Sequence, residues 1–215
     1  KDSTMELLAD RGNGNTAYID TIQEARKVLV EQTTGTLVTI AKDVKIQVEL
    51  DADEVASWRL VGYENRKLAH RDFEDDRKDA GEIGAGHDVT ALYEIVPKHA
   101  AGERSGKLMR VALRYKAPDG DTSTPLFHDV SADARSLAAS SDDLRFAAAV
   151  AQLGMLLRDS KHRGNASWAS TLALATAARG DDPTCARAEM VGLIARAAEL
   201  SGVKNAGRPK LACKA

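Results

Sequence analysis

Apolar residues recur along this chain with two periods, and the change between them divides it. From residue 43 to residue 130 they alternate with polar ones. Val44, Ile46, Val48 and Leu50 fall on one side of a run, with Lys45, Gln47 and Glu49 on the other. A period of two marks a strand. Further strands are predicted at residues 58–64, 87–97, 108–116 and 125–130, about five in all. In the run 108–116, Met109, Val111, Leu113 and Tyr115 point inward and Arg110, Arg114 and Lys116 outward. Gly81, Gly84 and Gly86 precede the alternating Val89, Ala91, Tyr93 and Ile95, and Pro97 ends that run. Glycine accepts positive φ, so this stretch reads as a turn feeding a central strand. Such short strands, with turn residues between them, predict an antiparallel β-sandwich.

From residue 140 the period becomes 3.6. Ser140 or Ser141 caps a helix whose first turn holds Asp142 and Asp143, where they favour the helix dipole. Leu144, Phe146, Val150, Leu153, Met155, Leu156 and Leu157 cover most of its girth, leaving Arg145, Gln152 and Asp159 as a polar stripe. A helix so apolar is expected to be buried on more than one side. Trp168, Leu172 and Ala175 mark a second helical face. Asp182 and Pro183 read as an N-cap with proline at the first helical position. Ala186, Met190, Leu193, Ala197 and Leu200 mark a third helix, and residues 204–215 form a polar tail expected to be mobile.

Residues 1–35 read as helix, strand, helix. Ser3 and Glu6 have capping-box spacing. Tyr18 and Ile19 lie in a short predicted strand, 16–20, and Asp20 can cap a helix over 21–32 that carries Ile22, Ala25, Val28 and Leu29 on one face. This αβα piece is too short to bury a sheet by itself. Its lone strand has edges to satisfy. It is expected to pair with the sandwich or with another copy of the chain. Residues 36–41 fit either a helix or a strand. The predicted class is therefore α+β: an N-terminal αβα remnant (1–35), a β-sandwich (36–133), a three-helix C-terminal unit (134–203) and a flexible tail (204–215).

Composition narrows the function classes. The chain is 43% hydrophobic but only 4% aromatic, so its core must rest on Ala, Leu and Val. A net charge of −2 with cations spread along the chain gives no nucleic-acid stripe. No run reaches the ~18 apolar residues of a membrane span, and no signal peptide opens the chain. A start at Lys1 fits a fragment of a longer protein. Cys185 and Cys213 match no metal-ligand spacing. They read as free thiols, with a disulfide pinning the tail as the alternative.

Few residues suggest chemistry. Gly12, Gly14 and Ala17 imitate a dinucleotide fingerprint but follow a helix and open a strand, the reverse of what phosphate binding needs. Asp72, Asp75, Asp76, Asp79 and Glu82 are the densest carboxylates, a set able to hold Ca²⁺ if they converge. Arg71, Arg77 and Lys78 stand among them and favour a solvated, self-neutralised loop. The five histidines are scattered; His87, opening the predicted central strand, is the one of interest. No nucleophile elbow occurs. No catalytic or cofactor-binding residue is identified, and the chain is not read as an enzyme.

Three stretches carry a family resemblance. MELLADRGNGNTAYIDTIQEARKVLVEQ resembles the last helix, strand and helix of a bacterial von Willebrand factor type A domain. VKIQVEL, WRLVGYENRKL and DFEDDRKDAGEIGAGHDVTALYEIVP resemble the segment that follows that domain in bacterial cell-envelope proteins, and LRFAAAVAQLGMLLRDSKHRGNASW resembles their uncharacterised C-terminal domain. A similar layout of A domain and β-sandwich occurs in inter-alpha-trypsin inhibitor heavy chains. By that analogy residues 36–42 would finish the A-domain helix.

The resemblance implies a metal-ion-dependent adhesion site upstream, built on a D-x-S-x-S motif that this sequence lacks. Its divalent cation would belong to the missing part of the A domain, so no site residue is carried over and no cofactor is expected here. The implied role is a non-catalytic interaction or scaffold module. Its place would be the bacterial envelope, periplasmic or at the surface, with a lipid anchor at a missing N-terminus as one means of attachment. Its partner would be a protein, with no nucleic acid and no membrane span; a homo-oligomer through residues 1–35 is one form. The alternative is a Ca²⁺-stabilised adhesion module using residues 72–82.

Overall fold

The computed structural model of the chain describes residues 2–12, 16–62, 73–77, 80–100, 106–132 and 136–203. The fold is α+β, with two antiparallel sheets. Helices α1 (Asp2–Arg11), α2 (Ile22–Arg26) and α3 (Thr33–Leu37) precede the strands. β1 (Thr39–Leu50), β2 (Val55–Val61), β3 (Gly81–Gly84), β4 (Leu92–Pro97), β5 (Lys107–Lys116) and β6 (Thr124–Ser131) follow. One sheet has the order β3-β1-β5-β6 and the other pairs β2 with β4. Helices α4 (Asp142–Leu157), α5 (Trp168–Ala177) and α6 (Ala186–Leu200) close the order. The chain falls into two compact units. One holds residues 1–59, 63–89 and 94–133; the other holds 60–62, 90–93 and 134–215.

In the first unit, β1 and β5 are the central strands, in register from Lys45 opposite Arg114 to Leu50 opposite Met109. β6 continues the sheet, with Phe127 opposite Ala112 and Asp129 opposite Arg110. The glycine-rich stretch is a correction to the sequence reading. Gly81–Gly84 is itself a strand, paired with the start of β1, and the strand after it joins the two-stranded sheet. The central strand predicted at 87–97 is therefore not central. It begins only at Leu92, and Val96 is exposed.

Two glycines explain the local geometry. A Cβ on Gly84 would lie 1.4 Å from the Gly35 carbonyl oxygen, so the backbones of α3 and β3 touch there. The Ala85 N–H donates to the Val38 carbonyl at 2.8 Å and locks the contact. Gly86 turns the chain with φ +77°. The open region 36–41 resolves into both alternatives: α3 runs to Leu37, and β1 starts at Thr39.

The N-terminal piece differs from its prediction. α1 begins at Asp2, so Ser3 lies within the helix and not at its cap. Residues 16–20 form no strand and pair with neither sheet; Tyr18 is 80% exposed. Thr21, not Asp20, caps α2, its side chain accepting from the Glu24 N–H at 3.1 Å. The predicted helix 21–32 widens into a π turn, Lys27–Glu31, where the Gln32 N–H donates to the Lys27 carbonyl.

The second unit has a helical core of Ala149, Leu153, Leu172, Ala175, Val191, Ile194 and Ala195, flanked by Phe146 and Trp168. Alanine at the contacts lets helices approach closely, which answers the scarcity of rings. Ser141 caps α4, accepting from the Leu144 N–H. Ser167 and Ser170 form a reciprocal capping box on α5. Asp182 does cap α6, but from before the helix. Its carboxylate accepts from the N–H groups of Arg187 and Ala188 at 3.1 and 2.8 Å, and Pro183 stays outside. α4 is less enclosed than its composition suggests, because Leu144 and Leu157 are exposed. The free-thiol reading is corrected too: Cys185 is disulfide-bonded. Cys213 and the tail predicted to be mobile lie outside the described residues.

The glycine contacts make a prediction. Gly86→Ala meets no atom within 4 Å and carries only the left-handed penalty, roughly 1–2 kcal/mol. Gly84→Ala must push two backbones apart and is expected to cost more. Urea denaturation of the two variants checks this, and equal losses would remove the backbone contact as a constraint.

Candidate functional site

The strand registers sort side chains onto the two faces of the larger sheet. Directly opposed residues point the same way in an antiparallel pair. Lys45, Gln47 and Glu49 of β1 therefore share a face with Arg110, Ala112 and Arg114 of β5, and with Pro125, Phe127 and Asp129 of β6. The alternation predicted this polar face to be the solvated one. The structure inverts that at two positions. Lys45 is only 3% exposed and Lys116 7%, whereas Ile46 on the opposite face is half exposed.

Burying an ammonium is costly unless acceptors surround it, and residues 73–77 supply them. Phe73 is buried. Lys45 Nζ donates to the Asp75 carbonyl, and Lys116 Nζ donates to the Asp76 carbonyl at 2.8 Å. Lys116 also donates to Asp43 Oδ2 at 2.5 Å. Asp43 reaches this position because β1 bulges there. Register shifts flank it on both partner strands, and its φ is +51°. A bulge re-aims one side chain at the expense of regular pairing. The other Asp43 oxygen accepts from the Ala80 N–H at 3.2 Å.

The carboxylates of the loop face cations. Arg77 donates to both Asp75 oxygens, at 3.0 and 3.1 Å, and its backbone N–H donates at 3.0 Å. These hydrogen bonds hold the Asp75 carboxyl at about 2, below its ordinary 3.8. Ser123 and then Arg114 lower the Asp76 carboxyl, both donating to Oδ1. The hydrogen bond to Asp43 raises the Lys116 amine. Farther along the same face, Arg110 grips Asp129 through two hydrogen bonds of 2.7 and 3.0 Å and lies 5.8 Å from the Phe127 ring centre. Arg110 lowers the Asp129 carboxyl.

Of the predicted cation ligands, Asp75 and Asp76 enter this network and Glu82 lies exposed on β3. Asp72 and Asp79 lie outside the described residues, as do Arg71 and Lys78. Among the described residues, no three of His, Cys, Asp and Glu stand together as metal ligands would. A cation at the Asp75 carboxylate would compete with Arg77, and one at Asp76 Oδ1 with Arg114 and Ser123. His87 is exposed and closes the turn at Gly86, its N–H donating to the Gly84 carbonyl. Sequence reasoning missed Asp43, Lys45, Arg114, Lys116 and Ser123. Their signal was present as charges two apart on two strands, Asp43 with Lys45 and Arg114 with Lys116. What this arrangement does chemically is clamp a loop onto a sheet.

These features define a two-unit α+β protein built on an antiparallel sheet and a three-helix unit. The chain belongs to a specific family: the family model "Uncharacterized protein YfbK, C-terminal" matches residues 35–200. A curated relative, "Uncharacterized protein YfbK" of Escherichia coli (strain K12), is 38% identical over 213 residues. The alignment covers 90% of this chain and 36% of that protein, so the chain spans little more than a third of its relative. No solved structure matches.

The loop clamp has a pH signature. Asp75 has a lower pKa folded than unfolded, so its contribution is complete above pH 4 and is lost as pH falls from about 4 to about 2. Asp76 adds a loss of the same sign. The melting temperature of the chain is expected to fall through this window. Asp75→Asn is expected to melt lower at neutral pH and to show a flatter acid limb. Parallel curves for the two proteins would mean the pair contributes nothing.

Proposed function

We propose that this chain is a non-catalytic protein–protein interaction or scaffold module, the C-terminal part of a bacterial cell-envelope protein that carries a von Willebrand factor type A domain. The observation that supports it most is apolar surface near the N-terminus. Tyr18, Ile22, Leu29, Val30 and Leu37 are each more than 60% exposed. Fully burying one such side chain is worth roughly 1.5–3 kcal/mol, so a protein partner that covers several gains substantially. The family match begins at residue 35, after most of these side chains. They fit the boundary of a neighbouring domain, and by resemblance that domain is the A domain. A second copy of the chain is the other protein able to cover them.

The rival, a Ca²⁺-stabilised adhesion module using residues 72–82, is disfavoured by the cations already seated on Asp75 and Asp76. Calorimetry with Ca²⁺ is expected to give no heat and no rise in melting temperature; either response would favour the rival.

The interaction reading is tested by pull-down from a bacterial envelope extract, with Ile22→Asp/Leu29→Asp alongside. The unsubstituted chain is expected to retain a protein that the double variant loses, with circular dichroism unchanged. Retention that survives the substitutions would overturn the reading. So would no retained protein together with a monomer in sedimentation at every concentration.

A further inference from the structure

The two edges of the larger sheet differ. At one edge stands β3, four residues long, with the Gly35 backbone against its Gly84. A short edge strand covered in this way is a poor template for another chain. At the other edge stands β6, eight residues long and paired with β5 from Thr124 to Ser131. Among the described residues no strand lies on its outer side. Seven of its eight residues are exposed, with Leu126 at 52% and Phe127 at 63%. Open edges are commonly guarded by a free charge. The one acidic residue of β6, Asp129, does not serve as one. Arg110 of β5 holds both its carboxylate oxygens, and Lys107 stands 3.8 Å away.

The direction of the β6 backbone follows from β5. The Asp51 N–H donates to the Leu108 carbonyl at 2.9 Å, so Leu108 faces the β1 side. In an antiparallel ladder the N–H and C=O of one residue point to the same side, and successive residues alternate. Arg110, Ala112 and Arg114 therefore also face β1. The residues opposite them, Asp129, Phe127 and Pro125, turn their backbone groups away from β5 to the open edge. Proline suits that position, because the N–H it lacks would have pointed outward.

We propose that β6 pairs antiparallel with β6 of a second copy of this chain, about a twofold axis through His128, so that two four-stranded sheets become one. Opposed residues share a face, so such an axis passes through a residue. An axis at Asp129 would set two like charges directly opposite each other, which is unfavourable. An axis at Phe127 sets Pro125 against Asp129 and keeps about four hydrogen bonds, whereas one at His128 makes about six. In the His128 register Phe127 and Asp129 exchange both bonds with Asp129 and Phe127 of the other copy, and Pro125 meets Ser131.

Side chains match in the same register. On one face Leu126 meets Val130 of the other copy, on either side of the His128 pair. On the other face a second Asp129 arrives beside Phe127, where the Arg110 guanidinium lies 5.8 Å from the ring centre. Each Arg110 thus gains a second carboxylate nearby. The net charge of −2 sets little repulsion between copies.

The test is a disulfide that this register favours. Opposed residues of a non-hydrogen-bonded pair lie about 4.5 Å apart at Cα, and a disulfide spans about 4.4–6.8 Å. His128→Cys in the full chain, mildly oxidised, is expected to give a dimer joined between the two positions 128, mapped by mass spectrometry. Leu126→Cys would lie about 14 Å from its counterpart and is expected to link severalfold less. No link at 128, or equal linking at 126, overturns the proposal. In sedimentation velocity the unsubstituted chain is expected to show a reversible dimer. Phe127→Pro is expected to abolish it with circular dichroism unchanged, since β5 does not use the Phe127 N–H. An unsubstituted chain that stays monomeric at every concentration, or a dimer that survives the proline, overturns it as well. Ile22→Asp/Leu29→Asp is expected to leave the link at 128 intact, which separates this edge from the apolar surface proposed above; its loss in that variant would place the contact elsewhere than β6.

Discussion

Two ammonium groups that must not be left dry set the form of the first unit. Lys45 and Lys116 stand on the central strands of the larger sheet and are almost wholly covered. An isolated buried charge costs several kcal/mol even after relaxation. The chain meets this with backbone carbonyls of Asp75 and Asp76 and with the carboxylate of Asp43. Each acceptor constrains something else. Asp43 requires the bulge in β1. The two carbonyls require residues 73–77 to lie across the sheet, and that position brings Asp76 to Arg114 and Ser123. A loop that looks acidic in one dimension becomes part of a charge-balanced layer in three.

The second unit solves a different problem with one side chain. Three helices packed on alanine leave helix ends whose polar groups need partners. Arg187, at the start of α6, donates to the carbonyls of Ala178 and Arg179 at the end of α5, at 3.4 and 3.2 Å. It also pairs with Asp143 in the first turn of α4 and lies 5.1 Å from the Phe146 ring centre. Its own N–H is held by Asp182. One guanidinium thus ties all three helices at one end, while Val191 and Ile194 fill the interior. A lysine would keep the charge but lose the planar fork that reaches several acceptors at once.

Period carried much of this architecture in the sequence. The strands at 44–50, 108–116 and 125–130 and the three C-terminal helices were legible because long runs of one period leave little choice of element. Which face is covered was not legible, since alternation says only that two faces differ. Lys45 shows the limit. Its burial depends on a loop some thirty residues away, and no local pattern carries that information. The short strand read at 16–20 failed for a related reason: Tyr18 and Ile19 suit a strand, but a strand exists only beside another. Asp75 and Asp76 stood out in the sequence only as part of a carboxylate cluster, and the partners of Asp76, Arg114 and Ser123, come from residues distant in sequence.

Gly81, Gly84 and Gly86 show how one sequence signal can hide different physical causes. Read together they suggest a flexible turn, but only Gly86 has the left-handed backbone that a turn demands. Gly84 is required by space, because the Gly35 backbone occupies the position of its missing Cβ. Gly81 pairs with Val44 at the far end of β3 and meets nothing that a side chain would strike. The Gly35–Gly84 contact is also where α3 meets the sheet, so it fixes how α3 and the π turn packed on it enter the first unit. In the interaction module proposed above, the exposed apolar residues of α2, α3 and the π turn between them are presented from an anchored base, whereas ordering a free segment would subtract its entropy from any binding gain.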